Sequence, residues 1–439
     1  MIQTLRNAWR IEEIRKKILF TLLIVLLYRI GNAIPVPFVD TKLLQSYFDQ
    51  SLRNTALGLL NAMSGGSFAS ATIFALSIQP YINASIIIQL LCIAIPALER
   101  MSKEEGEEGR KKIASITRYA TVAIGLLQGF GYYMLMKNQT VYDGGILKPI
   151  IVADASNSVW AAIIIILTFT SGSALIMWLG EQITEFGVGN GISIILFASI
   201  ISRFPSSIGR MIMMVRGAYG EENLLPWWGM VLMLLGALAL IVLIVFVNDA
   251  ERRIPVQYAK RVVGRKMYGG QSTHLPMKVN MSGVMPIIFA SSISSIPATI
   301  AAFTGSTGAW SKTDTIPYAI IYFLLIIFFA YFYSTIQFNP IEVANNLKKN
   351  GGYIPGFRPG KPTSEFIQRV LNKITLFGAI YLGIIAVTPI LVSHWSKTAA
   401  NTGLSLGGTS IIIVVGVALE TVRAIEAQML MRNYKGFLS

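Results

Sequence analysis

Ten stretches of this chain, each about twenty residues long and nearly free of charge, limit what it can fold into. They lie at about 18–34, 72–98, 115–136, 157–178, 186–203, 226–247, 279–303, 316–337, 374–393 and 407–425. An apolar helix of roughly 20 residues matches the hydrocarbon thickness of a bilayer. With 53% of its 439 residues apolar and 13% charged, the chain is expected to be an all-α polytopic membrane protein.

Before the first span, Trp9, Ile11, Ile14 and Ile18 alternate with Arg6, Arg10, Arg15, Lys16 and Lys17. Residues 1–17 are therefore expected to form an amphipathic helix at the interface. A basic segment ahead of an apolar run also resembles a signal peptide. No A-x-A-like site follows, and Arg29, Pro35 and Pro37 come next, so the first span is expected to be retained.

Charge fixes orientation. An even number of spans puts both termini on one side, and the segments on that side hold 27 of the 37 lysines and arginines. Positive residues accumulate in the cytoplasm, so both termini are expected there. Five spans on either side of a connector at 205–225 give two halves of opposite topology, the pattern of an inverted repeat with a path between the halves. The expected divisions are a cytoplasmic helix at 1–17, a first half at 18–204, the external connector, a second half at 226–427 and a tail at 428–439.

The second span breaks the rules for a lipid-facing helix. Residues 74–91 (FALSIQPYINASIIIQLL) contain Pro80 and the polar Gln79, Asn83, Ser85 and Gln89. Broken or polar helices survive at membrane depth only against protein or a watery cavity. Ahead of it, residues 64–71 (SGGSFASA) are too polar for a lipid-facing span, which fits a short re-entrant piece leading into a kinked pore-lining helix. The seventh span is its chemical counterpart, with Pro286, Pro297, Ser291, Ser292, Ser294 and Ser295. Interrupted segments in corresponding halves point to the functional path, and small hydroxyl residues allow close helix approach.

Two cytoplasmic segments are too long to be plain connectors. Residues 248–278 alternate Ile254, Val256 and Tyr258 with polar neighbours and turn near Gly264 and Gly269, which predicts a projecting hairpin. It carries Arg252, Arg253, Lys260, Arg261, Arg265 and Lys266. Residues 338–373 predict a short helix ended at Gly351 and a turn-rich stretch (YIPGFRPGKP) in which Pro355 and Pro359 flank Arg358. Two structured basic protrusions suggest docking of an acidic partner, protein or RNA phosphate.

Other chemistries lack their residues. There is one cysteine, Cys92, and the two histidines, His274 and His394, are far apart, so neither an internal disulfide nor a metal site is expected, and no cofactor. No P-loop is present, and the glycines at 187–191 (GVGNG) lack dinucleotide-binding spacing and open a membrane helix. Between their ends, spans two and four to nine contain no Asp, Glu, Lys, Arg or His. Ion-coupled transport needs ionisable groups at depth, which weighs against a secondary transporter of a small solute, the main alternative. A scaffold without a pathway would leave the paired polar helices unexplained. A passive pore closed by apolar side chains remains, because ions do not cross a dewetted constriction.

Several stretches together resemble the SecY family of protein-translocating channels: SIQPYINASIIIQLL, GEQITEFGVGNGISII, PMKVNMSGVMPIIFASSI, GFRPGKPT and LGGTSIIIVVGV. The likeness runs from the first span to the tenth. It implies ten transmembrane helices in two five-helix halves, a re-entrant plug at about 55–71 that includes Ser64, Gly65, Gly66 and Phe68, and a lateral gate between spans two and seven. Pro80, Asn83, Gln89, Pro286, Ser291 and Ser292 would line that gate. The implied pore ring is Ile78, Ile82, Ile192, Leu196, Ile288 and Ile413. Leu196 stands where isoleucine is frequent, which keeps the ring apolar. Arg358 and the 248–278 loop would dock the SecA motor or the ribosome. SecE and SecG are the implied partner subunits, secretory polypeptides with signal sequences the cargo, and the inner membrane the location. Such a channel is no enzyme, and its driving energy comes from a partner.

Overall fold

The computed structural model describes residues 2–52, 55–103, 106–143, 146–152, 158–217, 226–258, 261–263, 266–268, 272–304, 315–395 and 407–435. A helix occupies each of the ten apolar stretches, though several differ in length from the sequence expectation. The first half runs through α1 (Ile2–Arg10), α2 (Glu12–Gly31), α3 (Thr41–Tyr47), α4 (Ala56–Met63), α5 (Gln79–Ala94), α6 (Pro96–Lys103) and α7 (Gly106–Lys137). It ends with α8 (Val159–Phe186) and α9 (Gly191–Ile201). After α10 (Phe204–Val215) come α11 (Trp227–Asp249), α12 (Met285–Thr304), α13 (Ile316–Gln337), α14 (Pro340–Lys349), α15 (Lys361–Trp395) and α16 (Gly407–Lys435). Among the described residues five helical stretches are long and apolar enough to cross a membrane: Val159–Phe186, Gly191–Val215, Trp227–Asp249, Ile316–Lys349 and Lys361–Val392. The polar helices α5 and α12 supply shorter apolar segments.

The amphipathic segment expected across 1–17 is divided. Ile11 adopts φ −90° and ψ 115°, outside the helical region, so Ile14 and Ile18 belong to α2. Ala8 and Ile14 pack with Val188 and Ile425, and the Thr4 hydroxyl donates to Glu426 Oε1 at 3.0 Å. The segment is thus seated on the end of α16.

Pro80 does not kink the second span as expected; it starts it. The helix begins at Gln79, with the proline in its first turn, where a missing N–H costs nothing because that donor has no intrahelical acceptor. Pro286 stands at the same place in α12. The 16 residues of α5 rise only about 24 Å, and residues 64–78 complete the depth as a chain of turns. Such backbone is tolerated because it is enclosed by protein: Ala71, Thr72, Phe74, Ala75 and Ile78 are all buried.

Close backbone contact holds that irregular segment. A Cβ on Gly172 of α8 would lie 2.0 Å from the Ile73 carbonyl oxygen, and one on Gly191 would lie 1.9 Å from that of Gly180. The glycines of GVGNG thus serve helix-start packing, with Asn190 capping α9 by accepting from the N–H groups of Ile192 and Ser193. Gly172→Ala forces two backbones apart, and overpacking of this kind costs about 1–3 kcal/mol. A lower melting temperature and poorer recovery in detergent are expected; a melting temperature equal to wild type would refute the contact.

The hairpin expected within 248–278 is β3 (Glu251–Tyr258) paired antiparallel with β6 (Ser272–Lys278), in register from Glu251↔Lys278 to Gln257↔Ser272. A smaller antiparallel pair, β4 (Arg261–Val263) and β5 (Lys266–Tyr268), lies between them in sequence. An element absent from the sequence reading, β7 (Gly352–Tyr353), joins the free edge of β3 through Gln257↔Tyr353 and Tyr258↔Gly352. Between α7 and α8, β1 (Thr140–Asp143) and β2 (Ile146–Pro149) pair antiparallel. Three cores organise these parts. The largest joins α2, α5, α8, α9, α12, α13, α15 and α16; a second surrounds residues 36–76 with α7 and α8; a third lies between the 248–278 and 338–373 segments.

Candidate functional site: the collar, the seam and the docking face

The six expected ring residues all lie in or against one core. Ile78, Ile82, Leu196, Ile288 and Ile413 are all buried members of the largest core, and the half-buried Ile192 packs against it. They come from α5 and the turn before it, α9, α12 and α16, helices far apart in sequence. None faces outward. Met63, the last residue of α4, belongs to the same cluster.

The expected plug residues lie directly beyond α4 in two tight turns. Gly65 and Gly66 have φ of 72° and 94°, a left-handed conformation that glycine adopts without strain. The Ser64 hydroxyl donates to the Asn61 carbonyl at 3.1 Å and accepts from the Phe68 N–H at 3.2 Å. Asn61 Oδ1 accepts from the Ala69 N–H at 3.0 Å. Phe68 stacks on Tyr132 of α7, ring centroids 4.2 Å apart, and the Tyr132 hydroxyl donates to the Phe68 carbonyl. A Cβ on Gly65 would meet the Ser199 carbonyl of α9 at 2.9 Å.

Between α5 and α12 runs a polar seam. Gln79 Nε2 donates to Ser292 Oγ at 2.9 Å, a buried bond between residues 213 apart in sequence. Ser291 donates to the Ile288 carbonyl at 2.8 Å and lies 3.9 Å from the Met63 sulfur. Ser294 Oγ and the Tyr318 hydroxyl are 3.0 Å apart. Pro80 and Pro286 are buried at the helix starts, Asn83 is half-buried, and Gln89 Nε2 donates to Ser85 Oγ at 3.3 Å. Beside the seam lies a cleft of about 400 Å³ lined by Asn83, Ile87, Gln128, Ile296 and, from α4, Leu57 and Met63. Met63, Gln128 and Tyr318 join the site without being expected from the sequence, and Gln79, expected only as one of the polar residues of its span, makes the bond that closes the seam. A glutamine within the otherwise apolar stretch 122–136 was the available signal for Gln128.

Of the expected docking residues, Arg252, Arg253 and Arg358 are exposed, with Arg253 Nε 2.6 Å from Glu251 Oε1. The Arg358 carbonyl accepts from the Thr363 hydroxyl at 2.8 Å. Lys260 and Arg265 lie outside the described residues, as does the side chain of Arg261, whose backbone is in β4. The two loops share a core of Ile254, Val256, Met277, Ile354, Ile367 and Leu371. Tyr353 donates to Gln257 Oε1 at 2.9 Å across the strand pair. At the hairpin base, burial pushes the Lys278 ammonium below the usual lysine value; Arg423 adds to this, and Glu420, Asp249 and Glu251 oppose it.

The family model described as SecY matches residues 72–422, which takes in collar, seam and both loops. The chain belongs to the SecY family. A Streptomyces coelicolor protein named Protein translocase subunit SecY is 46% identical over 447 residues, covering 100% of both chains. A Mycobacterium tuberculosis protein of the same name is 43% identical over 457 residues, again across 100% of each. SecY-like architecture also appears in solved structures. One described as a protein conducting channel superposes with a TM-score of 0.66 at 16% identity, covering 95% of this chain and 93% of the other. Sec61 in a canine ribosome-channel complex gives 0.61 at 14% identity, covering 95% and 93%.

Proposed function

We propose that this chain is the central subunit of a protein-conducting channel, passing unfolded secretory polypeptides across the cytoplasmic membrane and releasing apolar segments sideways into lipid. One observation carries the reading: aliphatic side chains from four separate helices are buried in one core, beside a seam closed by polar bonds. A collar of isoleucine and leucine yields to any extended chain without recognising its sequence, yet water leaves it when empty. A polar seam is weak against lipid. Leu, Ile, Phe and Val are favoured at the bilayer centre by about 0.3–0.6 kcal/mol each, and Asp, Lys or Arg cost about 2.5–3.5. Sorting therefore requires no covalent chemistry, only contact with both phases.

The remaining roles follow. Residues 55–71 act as the plug, their turns stitched to α7 and α9 in the closed state. The two five-helix halves are related as an inverted repeat. In support, α7 packs on α5 and α8 as α13 packs on α12 and α15, the same neighbours five spans later. Both termini are cytoplasmic. Arg252, Arg253, Lys260, Arg261, Arg265 and Arg358 form a face for the SecA motor or ribosome, and SecE and SecG complete the complex, SecE clamping the halves.

The test is a stalled secretory chain carrying a photoreactive group in its signal sequence. Crosslinks to Asn83 and Ile296 of both gate helices are expected, and crosslinks to neither would sink the reading. The seam makes a quantitative claim as well. Losing one buried hydrogen bond costs about 1 kcal/mol, close to fivefold in an opening equilibrium. Gln79→Ala is expected to raise export of a reporter with a weakened signal sequence by about that factor. Ser292→Ala should add little on top, and additive effects would show that the two side chains act separately.

A further inference from the structure

A second cleft, of about 380 Å³, lies between α4, α9, α10, α11 and α16, and the roles given above do not draw on its charged residues. Those are Asp49, Arg203 and Arg210. Arg203 stands just before the first turn of α10 and Arg210 follows seven residues later, a spacing that puts both on one helical face. Both are half-buried, and among the described residues no hydrogen bond or ion pair engages either guanidinium. The two guanidiniums repel one another, while the exposed Asp49 carboxylate attracts Arg203 without bonding it, so the cleft holds one positive charge in excess. Two cations held together part-way out of water are unfavourable. A phosphate accepting hydrogen bonds from both would relieve that cost. Most of the remaining wall is apolar, with Leu234, Ala237 and Ile241 supplied by α11 and Val414 by α16.

The α11 wall is the one most open to lipid. Only 11% of the apolar window of α11 is buried, against 33–50% in the other four long stretches. Trp227 and Trp228 are exposed at the end of α11 remote from β3, and tryptophan in such a place marks the membrane–water interface. Leu234, Ala237 and Ile241 lie about 10, 15 and 21 Å further along the helix axis. That range runs from the upper acyl region towards the midplane of a hydrocarbon core about 30 Å thick. We infer that the cleft is a binding site for an anionic phospholipid, its phosphate held between Arg203 and Arg210 and an acyl chain lying along Leu234, Ala237 and Ile241. Free phosphate gains nothing from the apolar wall, and a zwitterionic lipid brings its own cation towards the arginines. Basic pockets between transmembrane helices hold anionic head groups for the same physical reason.

The experiment uses the full chain purified with SecE and SecG. Phosphatidylglycerol, phosphatidylcholine with the same acyl chains, and inorganic phosphate are titrated onto it separately and read by native mass spectrometry. One phosphatidylglycerol is expected to be retained at least about tenfold more tightly than phosphatidylcholine, and inorganic phosphate not at all. An arginine beside an anionic head group is worth about fivefold in affinity. Arg203→Gln and Arg210→Gln should therefore each weaken phosphatidylglycerol by about that factor and leave phosphatidylcholine and the melting temperature unchanged. Ala237→Phe, which alters no charge, should weaken it by crowding the acyl chain. Lys348→Gln, a neutralisation on α14 away from the cleft, should have no effect. Equal retention of the two lipids, full affinity in both glutamine variants, or an equal loss in Lys348→Gln would overturn the inference. So would retention of inorganic phosphate alone. A photoreactive group placed at position 237 should crosslink to lipid; crosslinking to SecE or to a second copy of this chain would assign the cleft to protein and overturn the inference as well.

Discussion

Ile288→Asn is expected to turn a sealed resting channel into a leaking one. Ile288 is buried among the aliphatic side chains of α5, α9, α12 and α16, so its replacement places an amide where the collar offers no hydrogen-bond partner of its own. Leaving such a group unpaired costs about 1–3 kcal/mol. Water entering the collar relieves that cost, so the same amount now favours wetting. At 1.4 kcal/mol per tenfold, resting ion conductance in planar bilayers should rise roughly 5- to 100-fold. Ile82→Asn, on the opposing helix, should do the same, and both should pass reporters with poor signal sequences, because a wetted collar no longer holds the closed state. Ile288→Val, which stays apolar, should remain tight. Unchanged conductance in both asparagine variants would remove the collar from the mechanism.

The second large effect is Arg358→Glu. Its side chain is exposed on a turn between Ile354 and the start of α15, so stability should change by no more than about 0.5 kcal/mol. Reversing a charge in a docking face both removes an attraction and adds a repulsion, and contacts of this kind couple by about 1.5 kcal/mol or more. Motor-driven translocation into vesicles is expected to fall at least about tenfold, while the amount of the protein in the membrane and its melting temperature stay level. Raising the SecA concentration should restore part of the rate. Equal rates for variant and wild type at limiting SecA would take Arg358 out of the docking role.

How far these parts were legible in the sequence depends on the reach of the physics involved. Helix positions were readable because apolar composition over some twenty residues is a strong local signal: α13 lies where the eighth stretch was expected, 316–337. Helix starts were not readable where proline has two meanings. Pro80 inside an apolar run reads equally as a kink or as a first turn, and the choice is made by the enclosed backbone of residues 64–78, whose turns depend on Gly172 lying against Ile73 far along the chain. The ring assignment comes only from the family resemblance, since nothing local distinguishes Ile82 from Ile87; yet one is buried and the other is exposed. The Gln79–Ser292 bond spans 213 residues, and no periodicity encodes such a pairing. The docking loops were half legible. Alternation revealed β3, but a two-residue strand such as β7 is defined entirely by the edge it joins.

That short strand has a consequence for anyone rebuilding the channel. With Gly352 and Tyr353 hydrogen-bonded to the edge of β3, and Ile354 and Ile367 sharing a core with Ile254 and Met277, the two basic loops are one folded object with two attachment points. Grafting either loop alone into a relative would expose a bare β-edge and half an interior. A chimera that exchanges motor preference therefore has to carry both loops together.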